Sequence, residues 1–203
     1  MQMLERPIGK TEIARRQLLA ALHIHWYLKE PLAVYCLAAS AWNVTNDLLK
    51  RDGKLRVVEQ LMQIHNLSEK DAGLLIRSSW NFAKHADSDP HAETVDYSDE
   101  DCDSVLEAAC IDFSILTRRA PAAVQIFLIW YSAIYPEKTG VFMRLEADQI
   151  FPNLSSVQRN HQVHAARQAV VEWTHRLSGN LGTDLTDNWR WVELRNTLGL
   201  RNS

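Results

Sequence analysis

The sequence predicts an all-α domain, and three observations carry that expectation. Apolar residues recur at helical rather than alternating spacing, turn-forming residues are scarce, and polar capping residues stand ahead of the apolar runs. With 7 glycines and 6 prolines in 203 residues, the chain has too few of the residues that β-hairpins require. A chain of this length fits one domain and buries a core without disulfide or metal staples. Residues 1–203 therefore read as a single helical bundle of about seven or eight helices, with a short flexible N-terminus over 1–9.

Thr11 is placed to cap a first helix that reaches Lys29 and carries Ile13, Leu18, Leu22 and Trp26. Pro31 suits the first turn of a second helix, which ends near Arg51 because Gly53 supplies a left-handed residue. A third helix covers Leu55 to His65, and Ser68-Glu69-Lys70-Asp71 opens a fourth that runs to Ala86. After a loop over 87–97, Ser98-Asp99-Glu100-Asp101 repeats the capping pattern and sets acids at the positive end of a helix dipole. That fifth helix ends near Arg118. Pro121 opens an apolar sixth helix and Pro136 stops it. Residues 139–154 read as irregular or as a short helix; Ser155 or Ser156 caps a long seventh helix to Ser178, and a last short helix spans 188–198.

The sixth segment, Ala120 to Tyr135, is shorter than the roughly 20 apolar residues a bilayer crossing needs, so it reads as a bundle centre. Cys36, Cys102 and Cys110 are odd in number and show no C-x-x-C spacing, which fits buried thiols in a reducing compartment. The opening MQMLERPIGK has no apolar signal region. Together these lead to the expectation of a cytoplasmic protein without a membrane partner.

The net charge of -3 conceals an asymmetry. Between His85 and Thr117 there are ten acids and no Lys or Arg, which leaves 22 bases against 15 acids elsewhere. That stretch reads as an acidic, solvated part of the surface that can also hold a cation or a basic partner.

The best candidate for a chemical site is Arg77 to Asp89, RSSWNFAKHADSD. At roughly 100° per residue, Leu75, Ser79, Phe82, Ala83, Ala86 and Trp80 fall on one arc of the fourth helix. Arg77, Ser78, Asn81, Lys84 and His85 fall on the other, with Leu74 among them, and Asp87 and Asp89 follow the helix end. His85 can serve as an acid or base, with a neighbouring Asp fixing its tautomer, and Lys84 or Arg77 can hold a phosphate or carboxylate. The alternative is a solvated polar face, which Asn81 fits poorly because mid-helix Asn needs a partner for its amide.

Asn81-Phe82-Ala83-Lys84-His85-Ala86-Asp87-Ser88-Asp89-Pro90 resembles the N-F-x-K-H-A-D-x-D-P signature of a family of uncharacterised bacterial all-helical proteins. The likeness extends loosely to Lys10-Thr11-Glu12 and to the sixth helix, and it implies no particular activity. The same helix is also similar, more weakly, to HEPN domains, helical bundles that often dimerise and cleave RNA without a metal. That resemblance implies a ribonuclease role with His85 as acid/base, although the seven residues between Arg77 and His85 exceed the family's usual spacing.

On the seventh helix, His161, His164, Gln168, Glu172 and His175 share an arc of about 80°. Glu172-x-x-His175 has the spacing of a di-iron bundle ligand pair, but no second copy exists, so His161, His164 and His175 read as a solvated face or a mononuclear divalent-metal site. Asp87 and Asp89 are the other metal candidates; their loop lacks the Gly and Glu of an EF-hand. His23 and His25 point to different faces of their helix and carry little information. No P-loop, dinucleotide fingerprint or nucleophile elbow is present. Three expectations follow: a ligand- or partner-binding module, oligomeric and centred on Arg77–Asp89; an RNA-cleaving HEPN-like enzyme; or a metal-dependent bundle.

Overall fold

The computed structural model describes residues 7–84, 91, 93 and 96–177; for residues 79, 83, 84 and 174–177 it describes the backbone alone. Among the described residues, helices α1 (Lys10–His23), α2 (Pro31–Arg51), α3 (Val57–His65), α4 (Glu69–Lys84), α5 (Asp99–Thr117), α6 (Ala122–Ile134), α7 (Pro136–Thr139), α8 (Arg144–Ile150) and α9 (Arg159–Leu177) account for the regular structure. No strand occurs among them, so the all-α reading holds. The helix expected over 188–198 lies outside the described residues.

One apolar core joins these helices except the short α7, which contributes no residue to it. Helix α2 lies between α1 and α5 and packs most extensively against both. Its inward stripe of Val34, Ala38, Ala41, Trp42 and Leu49 is buried throughout, and the alanines let the neighbouring helix axes approach closely. Helix α6 fills the space beside α5, α8 and α9. Eleven of its 13 residues are buried, as its apolar composition requires. Among the described residues, no helix is long and apolar enough to cross a membrane.

Capping chemistry explains several of the boundaries. Ser98 Oγ accepts from the Asp101 amide at 3.1 Å, and Asp101 accepts from the Ser98 amide at 2.9 Å, a reciprocal cap that fixes the start of α5. Ser68 Oγ accepts from the Asp71 amide at the start of α4. Gly53 follows α2 with φ +64°, the left-handed turn that a residue without a Cβ takes at little cost.

Three expected boundaries are corrected. Helix α1 begins at Lys10, and Thr11 lies inside its first turn. The Gly9 carbonyl accepts from Ile13, while Glu12 pairs with Arg15 and Arg16. Ser155 and Ser156 belong to a 3-10 turn (Leu154–Ser156), where Ser156 Oγ donates to the Asn153 carbonyl, so α9 starts only at Arg159. The first helix also does not continue uniformly to Lys29: residues Ile24–Leu28 form a π turn closed by Lys29 N–H donating to the Ile24 carbonyl at 2.8 Å.

Helix α4 is rotated from its expected setting. Ala72, Gly73 and Ile76 are buried and Trp80 is half-buried, whereas Leu75 is 57% exposed. The true inward stripe is i, i+4, i+8 from Ala72, and Leu75 lies beside it at the rim of a cavity.

Candidate functional site

Two polar assemblies are built on α5, and the acidic stretch read from the sequence supplies both. That stretch is not wholly a solvated surface: Asp103 and Asp112 are completely buried, and Glu107 is half-buried. Their burial follows from position, since Asp103 falls in register with Leu106, Cys110 and Phe113 on the core side of α5.

The first assembly is closed. His25 Nε2, carried by the π turn, stands 2.7 Å from Asp103 Oδ1. Arg159, the first residue of α9, donates from Nη2 to Oδ1 at 2.8 Å and from Nη1 to Oδ2 at 2.7 Å, a two-pronged grip on the same carboxylate. Tyr135 Oη, at the end of α6, donates to Oδ2 at 2.8 Å. The Arg159 guanidinium also lies over the Trp130 ring, 4.8 Å from its centre. Burial pushes the Asp103 carboxyl up, but the hydrogen bonds from His25 and Arg159 outweigh it and hold the group below the usual range. The Tyr135 hydroxyl is raised by burial and by the Asp103 charge beside it. With His25 and Asp103 both withdrawn from solvent, the assembly is a clamp joining four elements. Arg167 extends it by donating from Nε to the Trp26 carbonyl at 2.6 Å, where the π turn leaves an acceptor.

The second assembly is open. Ser104, Glu107, Ala108 and Ile111 follow i, i+3, i+4, i+7 along α5 and line one wall of a cavity of about 570 Å³. Helix α3 contributes Leu61, Ile64 and His65, α4 contributes Leu75 and Ile76, and Tyr35, Tyr131 and Lys138 complete the lining. The exposure of Ile64, 73%, and of Leu75 shows that the mouth opens between α3 and α4. Tyr35 is held by a stack on Tyr97 at 4.7 Å and by its hydroxyl donating to the Leu75 carbonyl.

Glu107 is the singular group in that cavity. No hydrogen bond or ion pair joins it to any described residue. Burial, with a further push from Asp112, raises its carboxyl to about 7, and Lys138 offsets only part of this. Lys138 itself is engaged elsewhere: its Nζ donates to Glu100 at 2.6 Å and sits over the Tyr135 ring. Tyr131 is raised as well, first by burial and then by the Glu107 charge.

Asp112 is a structural counterpart on the same helix. Its Oδ1 accepts from the Val57 amide at 2.8 Å, satisfying a donor at the start of α3. Burial raises this carboxyl to about 6 against the opposing pull of the Val57 amide and the Trp42 indole.

The residues singled out from the sequence are placed as follows. Arg77 and Asn81 are half-buried on α4, and the Arg77 guanidinium folds over Gly73, 3.5 Å from where a Cβ there would stand. Neither lines the cavity. Lys84 ends α4. Its side chain, like His85, Asp87 and Asp89, lies outside the described residues. On α9, His161 is exposed and His164 half-buried, and the His175 side chain is again outside them. Among the described residues, no three His, Cys, Asp or Glu side chains converge in a metal-binding group.

Sequence reasoning missed His25, Asp103, Arg159 and Glu107. The usable signal was the helical register of Asp103 and Glu107 with buried apolar neighbours. Their partners on α6 and α9 come from distant parts of the chain. No protein-family model, curated protein or solved structure matches this chain.

Proposed function

We propose that this protein is a small-molecule-binding domain whose site is the cavity between α3, α4, α5 and α6. The observation that carries this reading is the unpartnered Glu107 carboxyl in an otherwise largely apolar cavity. A half-buried carboxyl without a protein partner is partly desolvated at a cost in folding free energy, so a fold that keeps one is best explained by an external partner. The volume of about 570 Å³ lies within the range of drug-sized ligand sites, which are commonly apolar with a few placed polar groups. This takes up the ligand-binding role expected from the sequence and proposes Glu107 on α5, in place of the Arg77–Asp89 face, as its centre.

The test is saturable uptake of a neutral fluorescent reporter, N-phenyl-1-naphthylamine, by the full chain. One equivalent should bind, and Ala108→Trp, which fills the cavity from α5, should abolish uptake while circular dichroism remains helical. Ser104→Phe provides a second filling variant should the first fail to fold. Absence of saturable uptake by the wild type, or its persistence in a folded filling variant, overturns the reading.

A further inference from the structure

We infer that the ligand of this cavity is an amphipathic amine, with its ammonium seated on Glu107 and its apolar body lying between α3 and α4. The inference rests on the cavity being the binding site and adds the chemical class that it takes.

The charge requirement follows from which groups are already satisfied. Asp101 Oδ2 accepts from the Ser98 amide and hydroxyl as part of the α5 cap. The Lys138 ammonium is occupied by Glu100 and the Tyr135 ring. Of the described lining carboxylates and lysine, Glu107 keeps no hydrogen bond or ion pair, so the unmet fixed charge among them is negative; His65, on α3, is the other ionisable lining group without a partner. A ligand carboxylate would instead add a second anion beside Glu107 with Asp101 and Asp112 on the same helix. Leu61, Ile64, Leu75, Ile76 and Ile111 supply the surface for an apolar tail.

Recognition of an ammonium by Glu107 couples binding to proton release. Burial and Asp112 raise the carboxyl to about 7, and an ammonium against it favours the ionised form. The titratable and charged groups around it are Asp101, Cys110 and Asp112 on α5, Tyr131 from α6, Lys138 from α7, His65 from α3 and Tyr35 from α2. Among its described side chains, helix α4 contributes Leu75 and Ile76. Amine affinity should therefore rise with pH between about 6 and 8, where a simple alkylamine stays protonated.

The experiment is calorimetric titration of the full chain with hexylamine, 1-hexanol and hexanoate at pH 6 and pH 8. At pH 8 hexylamine should bind roughly ten-fold or more tightly than hexanol, as a charge-assisted hydrogen bond allows. At pH 6 its affinity should fall about ten-fold, because only about a tenth of Glu107 is ionised. Glu107→Gln should erase the amine preference and its pH dependence while retaining hexanol binding. Equal affinity for amine and alcohol, or preference for hexanoate, overturns the amine assignment and leaves the cavity reading standing. Failure of all three probes while the neutral reporter still binds does the same. Failure of probes and reporter together overturns the cavity reading itself.

Discussion

His25 and Asp103 are 78 residues apart in the chain and meet at 2.7 Å in the fold, with Arg159 closing on the same carboxylate from α9. Three helices and a π turn thus converge on one buried anion. Its solvation has been replaced by three donors, and the arrangement is stable only while all are present.

Asp103→Ala should therefore destabilise the protein by about 3–5 kcal/mol, because it leaves the buried His25 without its acceptor and takes from Arg159 its two-pronged partner, with only the more exposed Asp99, 3.3 Å from Nε, remaining. Replacing the set together, Asp103→Leu with His25→Phe and Arg159→Met, should cost less than Asp103→Leu alone. Urea unfolding followed by circular dichroism measures both. The wild type should also lose this contribution in acid. The Asp103 carboxyl is held below its unfolded value, so its contribution is full above about pH 4 and fades as pH falls further. The acid limb of the stability profile should flatten in Asp103→Ala.

Glu107 gives the opposite slope. Its folded carboxyl, near 7, lies above the unfolded value of about 4.5. Between those values the native state holds more protons than the unfolded chain, so stability falls as pH rises. Glu107→Gln removes that penalty. The variant should match the wild type near pH 4.5 and exceed it by on the order of 2 kcal/mol at pH 8, measured by urea midpoints across that range. Equal midpoints at pH 8 would count against an unpaired, desolvated Glu107.

The sequence made the helices legible wherever a local signal set their ends. Ser98 with Asp101, Gly53 after α2, and Pro121 and Pro136 around α6 each act within a few residues. The π turn was not legible, because its wider hydrogen-bonding depends on packing against α9 and on Arg167 reaching the Trp26 carbonyl. His25 appeared uninformative for the same reason: its partner lies on α5 and its orientation on a turn of altered pitch. Asp103 was grouped with its acidic neighbours by composition, although its spacing from Leu106, Cys110 and Phe113 marks the buried side. Leu75 shows the converse. An apolar residue at an apolar position proved exposed, because the cavity interrupts the packing it would otherwise join.

Backbone strain at helix ends makes a separate prediction. Lys29 and Arg118 both adopt left-handed backbone, with φ 55° each, at the C-terminal ends of the π turn and α5. A side chain with a Cβ costs about 1–2 kcal/mol in that conformation relative to glycine. Arg118→Gly keeps the amide that donates to the Ser114 carbonyl at 2.9 Å and should raise stability by about 0.5–1 kcal/mol after the entropy of the unfolded chain is counted. Asn66→Gly, at φ 52°, should gain less, since Asn tolerates this region. Thermal unfolding of the two single variants orders them.

The cysteines divide by environment. Cys110 is fully buried, and burial with the nearby Glu107 charge raises its thiol well above the ordinary value. Cys102 is raised to about 12 by burial and then by Asp103 and its acidic neighbours. Cys36 is half-buried, and burial alone raises it. Because the thiolate is the reacting form, iodoacetamide at pH 8 should leave Cys102 and Cys110 unmodified in the folded protein and label Cys36 slowly. In denaturant all three should react, giving three added carbamidomethyl groups by intact mass. Rapid native labelling of Cys102 would mean that the end of α5 near Asp103 opens readily, which the closed grip of Arg159 on that carboxylate argues against.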